Sequence, residues 1–204
     1  MFEREKLLAN ASKKLPFPDK GEENPRTQMD HFGAEMCSGT WIGIWLNMQH
    51  GEIQDKKQDC KKVVSEKSGA EQERCEASFL WASSANKGVS AKYKGLWQEC
   101  NADETYEFTG VSVQEVYVFL LQEEDWLAEV RRPEKLKAGK AYHQPLLANE
   151  EHPTYLFTVV FDKAGNIASL EAVYGSEGFS YSYTLKTSKD KKGCTLTIKN
   201  ECVL

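Results

Sequence analysis

Four histidines (31, 50, 143 and 152) and six cysteines (37, 60, 75, 100, 194 and 202) carry most of the ligating power of this chain. Neither set has metal-site spacing. H-E-x-x-H, a close histidine pair and C-x-x-C are all missing, and these are the patterns that put two ligands on one helical turn or tight loop. No metal site and no cofactor are expected. Gly175-Ser176-Glu177-Gly178 departs from the G-x-S-x-G nucleophile elbow and reads as a hairpin turn. Phosphate-cradling glycine loops do not occur. Two sets of candidates remain. The first is charged. Glu129 and Arg131 share one face of an expected strand at 126–131, and Glu171 lies on another at 167–174. Pointing into a barrel, they would be buried charges in need of partners, able to act as acid, base or carboxylate clamp. Pointing outward, they are ordinary solvated residues, and outward is the expected arrangement. The second set is aromatic. Tyr155, Phe157 and Phe161 on one strand, with Phe179, Tyr181 and Tyr183 on another, would line an apolar cavity tipped with hydroxyls. Small-molecule pockets are built that way. The same side chains could equally fill a core.

The cysteines leave free buried thiols and up to three disulfides open. Cys194 and Cys202 fall on one expected strand. Eight residues at about 3.3 Å each put them far beyond the roughly 7 Å Cα limit for a bridge, so they cannot pair with each other.

The chain has 204 residues, with 26 Lys+Arg against 31 Asp+Glu and a net charge of −5. That acidic balance argues against a general nucleic-acid binder, which needs a basic face. No apolar run approaches the roughly 20 residues of a membrane helix. An aromatic share of 11% gives enough surface to bury, which argues against wholesale disorder. The N-terminal stretch has no apolar segment of secretory type and carries Glu3 and Glu5. It suits an intracellular chain, or a mature form whose targeting peptide is gone. Asn10-Ala11-Ser12 fits the glycosylation sequon, a match common by chance. Lys186, Lys189, Lys191 and Lys192 gather at the last hairpin and read as a solvated turn.

The elements that would position these residues are mostly strands. Residues 1–30 read as a polar arm with a short helix near 3–14, and 31–204 as one domain. Strands are expected at 40–48, 58–65, 73–82 and 93–98. The apolar run 113–121 reads as a central strand, and 126–132 returns from it. Residues 133–152 form a long irregular stretch of the kind that often carries function. A four-strand meander follows at 154–161, 167–174, 179–187 and 194–203, with Gly, Asn or Asp in every turn. Short connections favour an antiparallel up-and-down barrel of about 8–10 strands over a sandwich.

Gly39-Thr40-Trp41, ahead of a long strand, resembles the opening of the lipocalin and calycin barrels. The resemblance implies that Trp41 closes a barrel floor and that a basic residue of the last strand packs over it. Lys199 stands where that family more often has arginine. A cation over an indole face gains roughly 0.5–2 kcal/mol. The resemblance further implies a small hydrophobic or conjugated ligand inside the barrel. It also admits a chromophore lyase or isomerase using Glu129, Arg131 and Glu171. A third expectation is a filled barrel that meets a protein partner through the arm or the 133–152 loop.

Overall fold

The structure, a computed structural model, describes residues 14, 51–98, 101–123, 129–145, 156–176 and 178–202. The expected arm apart from Lys14, the strand at 40–48 with Trp41, and Tyr155 lie outside the described residues. The elements run β1 (Gly51–Val64), β2 (Glu71–Ser83), β3 (Ser90–Gln98), β4 (Asn101–Thr109), α1 (Val113–Glu123), β5 (Ala141–Pro145), β6 (Leu156–Phe161), β7 (Ile167–Ser176), β8 (Phe179–Thr187) and β9 (Gly193–Cys202).

The nine described strands form one antiparallel sheet in the order β1-β2-β3-β4-β9-β8-β7-β6-β5. It consists of two up-and-down meanders, β1–β4 and β5–β9, joined where β4 pairs with β9. Among the described residues the sheet is not closed: β1 and β5 are its edges.

Alternation along the strands sorts the side chains. On β4, Ala102, Glu104, Tyr106 and Phe108 are buried; on β9, Cys194, Leu196, Ile198 and Asn200 are. Opposite neighbours carry these inward residues across the sheet in rows. One row runs Phe79, Tyr93, Tyr106, Leu196, Leu185, Leu170, Val159 and Tyr142. The next runs Ala77, Gly95, Glu104, Ile198, Tyr183, Ala172 and Phe157.

The expected meander stands as β6–β9. The expected central strand at 113–121 does not: residues 113–123 are the helix α1. Their β-branched and aromatic residues favour a strand, but a local signal favours a helix. Ser112 and Glu115 form a capping box, with Ser112 Oγ accepting from the Glu115 amide at 3.2 Å and Glu115 Oε2 accepting from the Ser112 amide at 2.7 Å. Val113, Val116 and Tyr117 then fall on one helical stripe and are buried against the sheet at β7–β9. That burial outweighs the modest propensity penalty. Lys14 Nζ reaches Glu115 at 2.9 Å at the start of the helix.

Three further expectations need correction. Residues 129–132 carry no strand, the irregular stretch 133–152 contains β5, and residues 101–109 form a strand that was not expected. β5 is laid down because β6 offers it a partner, which no local pattern announces.

β9 passes very close to β4 at Gly193. A Cβ there would lie 1.8 Å from the Phe108 carbonyl oxygen, which is backbone and cannot move aside. Gly193→Ala is expected to destabilise by about 1–3 kcal/mol. Thermal unfolding checks this, with a fall in Tm of roughly 2–4 °C for each kcal/mol; an unchanged Tm would show the seam to be loose.

Candidate functional site

α1 covers the inward face of β7–β9, and the other half of that face builds a wall of aromatic rings. Phe79 stacks on Tyr93 with centroids 4.7 Å apart. Tyr93 lies 4.7 Å from Tyr106, and Tyr106 lies 5.8 Å from Phe108 in a nearly parallel arrangement. Trp97 closes the group 6.3 Å from Tyr93. Tyr93, Tyr106 and Phe108 are buried, whereas Phe79 and Trp97 are only partly covered.

A carboxylate sits in this apolar wall. Glu104 has 0% exposure, and it accepts a hydrogen bond of 2.7 Å from the Tyr93 hydroxyl. Burying a carboxylate is costly unless hydrogen bonds or charges compensate, so its place here needs a local reason. Gly95 supplies part of it. It lies directly opposite Glu104 in the ladder. A Cβ at Gly95 would lie 2.1 Å from the Tyr93 hydroxyl oxygen. Glycine therefore lets Tyr93 lean along its own strand and reach across to β4.

A second polar group lies one row away. Asn200 is opposite Ala102, which is opposite Trp97. Asn200 is buried, and its Oδ1 has no hydrogen-bond partner among the described residues. The wall thus offers flat apolar faces with a carboxylate, a hydroxyl and an amide set among them.

The sequence candidates are placed differently. Phe157 meets Tyr117 of α1 edge to face at 6.2 Å, and Phe161 meets Tyr142 at 6.1 Å. Both are buried core residues under the helix half, and Tyr183 is buried in the same row as Glu104. Phe179 and Tyr181 lie on β8, opposite Cys202 and Asn200 of β9. Glu129, Arg131 and Glu171 are exposed. Glu171 faces outward between Thr158 and Thr184, as expected, so these three are not gathered inside the sheet. Lys199 also faces outward, half-exposed, with its Nζ 3.5 Å from Asp103.

Glu104, Tyr106 and Asn200 were not among the candidates. The signal for β4 was present, since Ala102, Glu104, Tyr106 and Phe108 alternate with Asn101, Asp103, Thr105 and Glu107. A carboxylate at an inward position hid it.

The cysteines divide by environment. Cys60 and Cys75 are bridged, Cys202 is disulfide-bonded, and Cys194 is a buried free thiol. Burial first, and the nearby Glu115 charge second, push the Cys194 thiol up to about 12. At the exposed last turn, hydrogen bonds from the Ser188 hydroxyl and the Lys192 amide hold Asp190 below the usual carboxylate range.

Compared with known proteins, the chain matches no family model, no curated protein and no solved structure.

Two outcomes follow from the geometry. Gly95→Ala should separate Tyr93 from Glu104 and cost about 1–3 kcal/mol in denaturant unfolding; full stability would show that the pair does not depend on the glycine. Cys194 should resist iodoacetamide in the native protein at pH 8 and react once unfolded, as read by mass spectrometry. Its unfolded thiol ionises near 9.0 and its folded thiol near 12. Its contribution to stability is therefore complete below pH 9 and lost as pH rises from there toward 12.

Proposed function

We propose that this chain binds a small, flat, largely apolar or conjugated molecule on the inward face of β2, β3, β4 and β9. The observation that carries the reading is the buried Glu104–Tyr93 pair inside a stack of aromatic rings. A core built only for stability gains little from a carboxylate there, because apolar side chains of similar volume would be as good or better. A binding wall gains orientation, since the ligand's polar group is fixed while ring stacking supplies affinity. Phe79 and Trp97 are the accessible rings, and Glu104 and Asn200 the polar anchors. In this reading the sheet curls toward a barrel in the manner of the lipocalins, which Gly39-Thr40-Trp41 resembles.

The runner-up, a cavity enzyme acting through Glu129, Arg131 and Glu171, finds no support in their exposed positions. Among the described residues no helix is long and apolar enough to cross a membrane. The ligand is reached by stacking and hydrogen bonding alone.

Titration with the neutral dye Nile red tests the site, together with native mass spectrometry of protein from its source. The dye should bind at one site per chain. Trp97→Ala should weaken binding about tenfold, or about 1.4 kcal/mol, while Glu171→Gln leaves it unchanged. A source protein of bare apo mass that also takes up no dye would sink the reading.

A further inference from the structure

The β1–β2 hairpin carries a second group of chemically capable side chains. Cys60 and Cys75 lie directly opposite each other in the ladder and are bridged. Glu73 stands two residues before Cys75, on the same face of β2. The two sulfurs and a Glu73 carboxylate oxygen all lie within 4.8 Å of one another. We propose that, once the bridge is reduced, Cys60, Cys75 and Glu73 form a binding site for a thiophilic divalent cation of the Zn2+ and Cd2+ class.

The distances suit a tetrahedral site. Zinc–sulfur bonds of about 2.3 Å and zinc–oxygen bonds of about 2.0–2.2 Å put ligand atoms about 3.5–3.8 Å apart. Opening the bridge lets the sulfurs separate to that spacing without moving the strands. The hairpin itself is held by a ladder from Gly51–Ser83 to Val64–Glu71, with one bulge, and its backbone hydrogen bonds do not depend on the bridge. Cys60 and Glu73 are exposed and Cys75 is half-buried, so reductant, cation and water can all enter. Two nearby cations are engaged with other carboxylates. Lys62, opposite Glu73, pairs with Glu71 at 3.4 Å, and Arg74 pairs with Glu76 at 3.0 Å. Glu73 is left facing the sulfurs. Two thiolates and one carboxylate leave a fourth position for water, the pattern of an exchangeable site rather than a closed structural one.

The chemistry balances as follows. A dithiol or phosphine reductant delivers two electrons to the disulfide, and two protons complete the pair of thiols. A dithiol ends as its own cyclic disulfide, and a phosphine as its oxide with oxygen from water. The divalent cation then binds both sulfurs as thiolates and displaces two protons, so uptake strengthens as pH rises. A disulfide oxidant restores the bridge and releases the cation. The 15-residue separation of the cysteines is not a metal-binding spacing, so only the pairing of β1 with β2 assembles the site.

The test uses the full chain, reduced with a phosphine, desalted under argon and titrated with Cd2+ alone. The near-ultraviolet cadmium–thiolate absorbance and the calorimetric stoichiometry are read together. Reduced protein should take up one more Cd2+ than the C60S/C75S variant reduced in the same way, in which the Cys202 bridge is opened as well. Glu73→Gln keeps both cysteines and the bridge, and should weaken that added equivalent at least tenfold. Equal uptake by reduced wild type and C60S/C75S, or unchanged affinity in a Glu73→Gln protein of native circular dichroism, would overturn the proposal.

Discussion

The pairing of β4 with β9 is the constraint on which the rest of the structure depends. Each meander is built from neighbours in sequence, but β4 and β9 are brought together with the whole second meander lying between them in the chain. Their ladder runs from Ala102–Asn200 to Thr109–Gly193. It places Tyr106 beside Leu196 and Phe108 beside Cys194, all buried. The Gly110 amide extends it, donating to the Lys192 carbonyl at 2.8 Å. Glycine at 193 allows the two backbones to meet closely enough for this. Without the seam the inward rows would stop at the middle of the sheet, and each half would expose an apolar face too large for a few strands to bury.

The seam also explains why the two halves differ. The chain leaves β4 in the middle of the sheet and must reach β5 at its far edge. α1 makes that crossing and lies over β7–β9 as it does so. Phe157, Phe161 and Tyr183 therefore become core, while Phe79 and Trp97 keep accessible edges. The same connection places Glu115 near Cys194, where its charge adds to the effect of burial on the thiol. One free thiol is thus kept inert in the interior, while the pair bridged across β1 and β2 has its Cys60 end exposed. Burial and charge, rather than cysteine count, decide which sulfur can react.

Glu104 shows how a carboxylate is accommodated in an apolar wall. Its carboxylate is compensated by the Tyr93 hydroxyl, and Tyr93 reaches it only because Gly95 has no side chain in the way. Three positions on two strands thus act as one unit, and changing one of them alters the other two. Ring stacking around the pair holds the geometry.

Much was legible in the residues alone. β6–β9 could be read because alternation and turn chemistry agree there: Tyr183 and Leu185 face in, and Asp162 to Asn166 carries the turn with Gly165 at φ 84°. The exclusion of a Cys194–Cys202 bridge was likewise a matter of strand length. Other features depend on partners distant in sequence. Val113 to Leu121 has the composition of a strand, and it became a helix because a two-residue capping box met a sheet face in need of cover. β4 was obscured because Glu104 occupies an inward position, and a buried carboxylate makes sense only once Tyr93 is beside it. Local periodicity and turn residues act over a few residues, so the sequence itself determined the strands they specify. The seam, the aromatic wall and the Cys60–Glu73–Cys75 cluster are pairings between strands, and only the tertiary structure decided those.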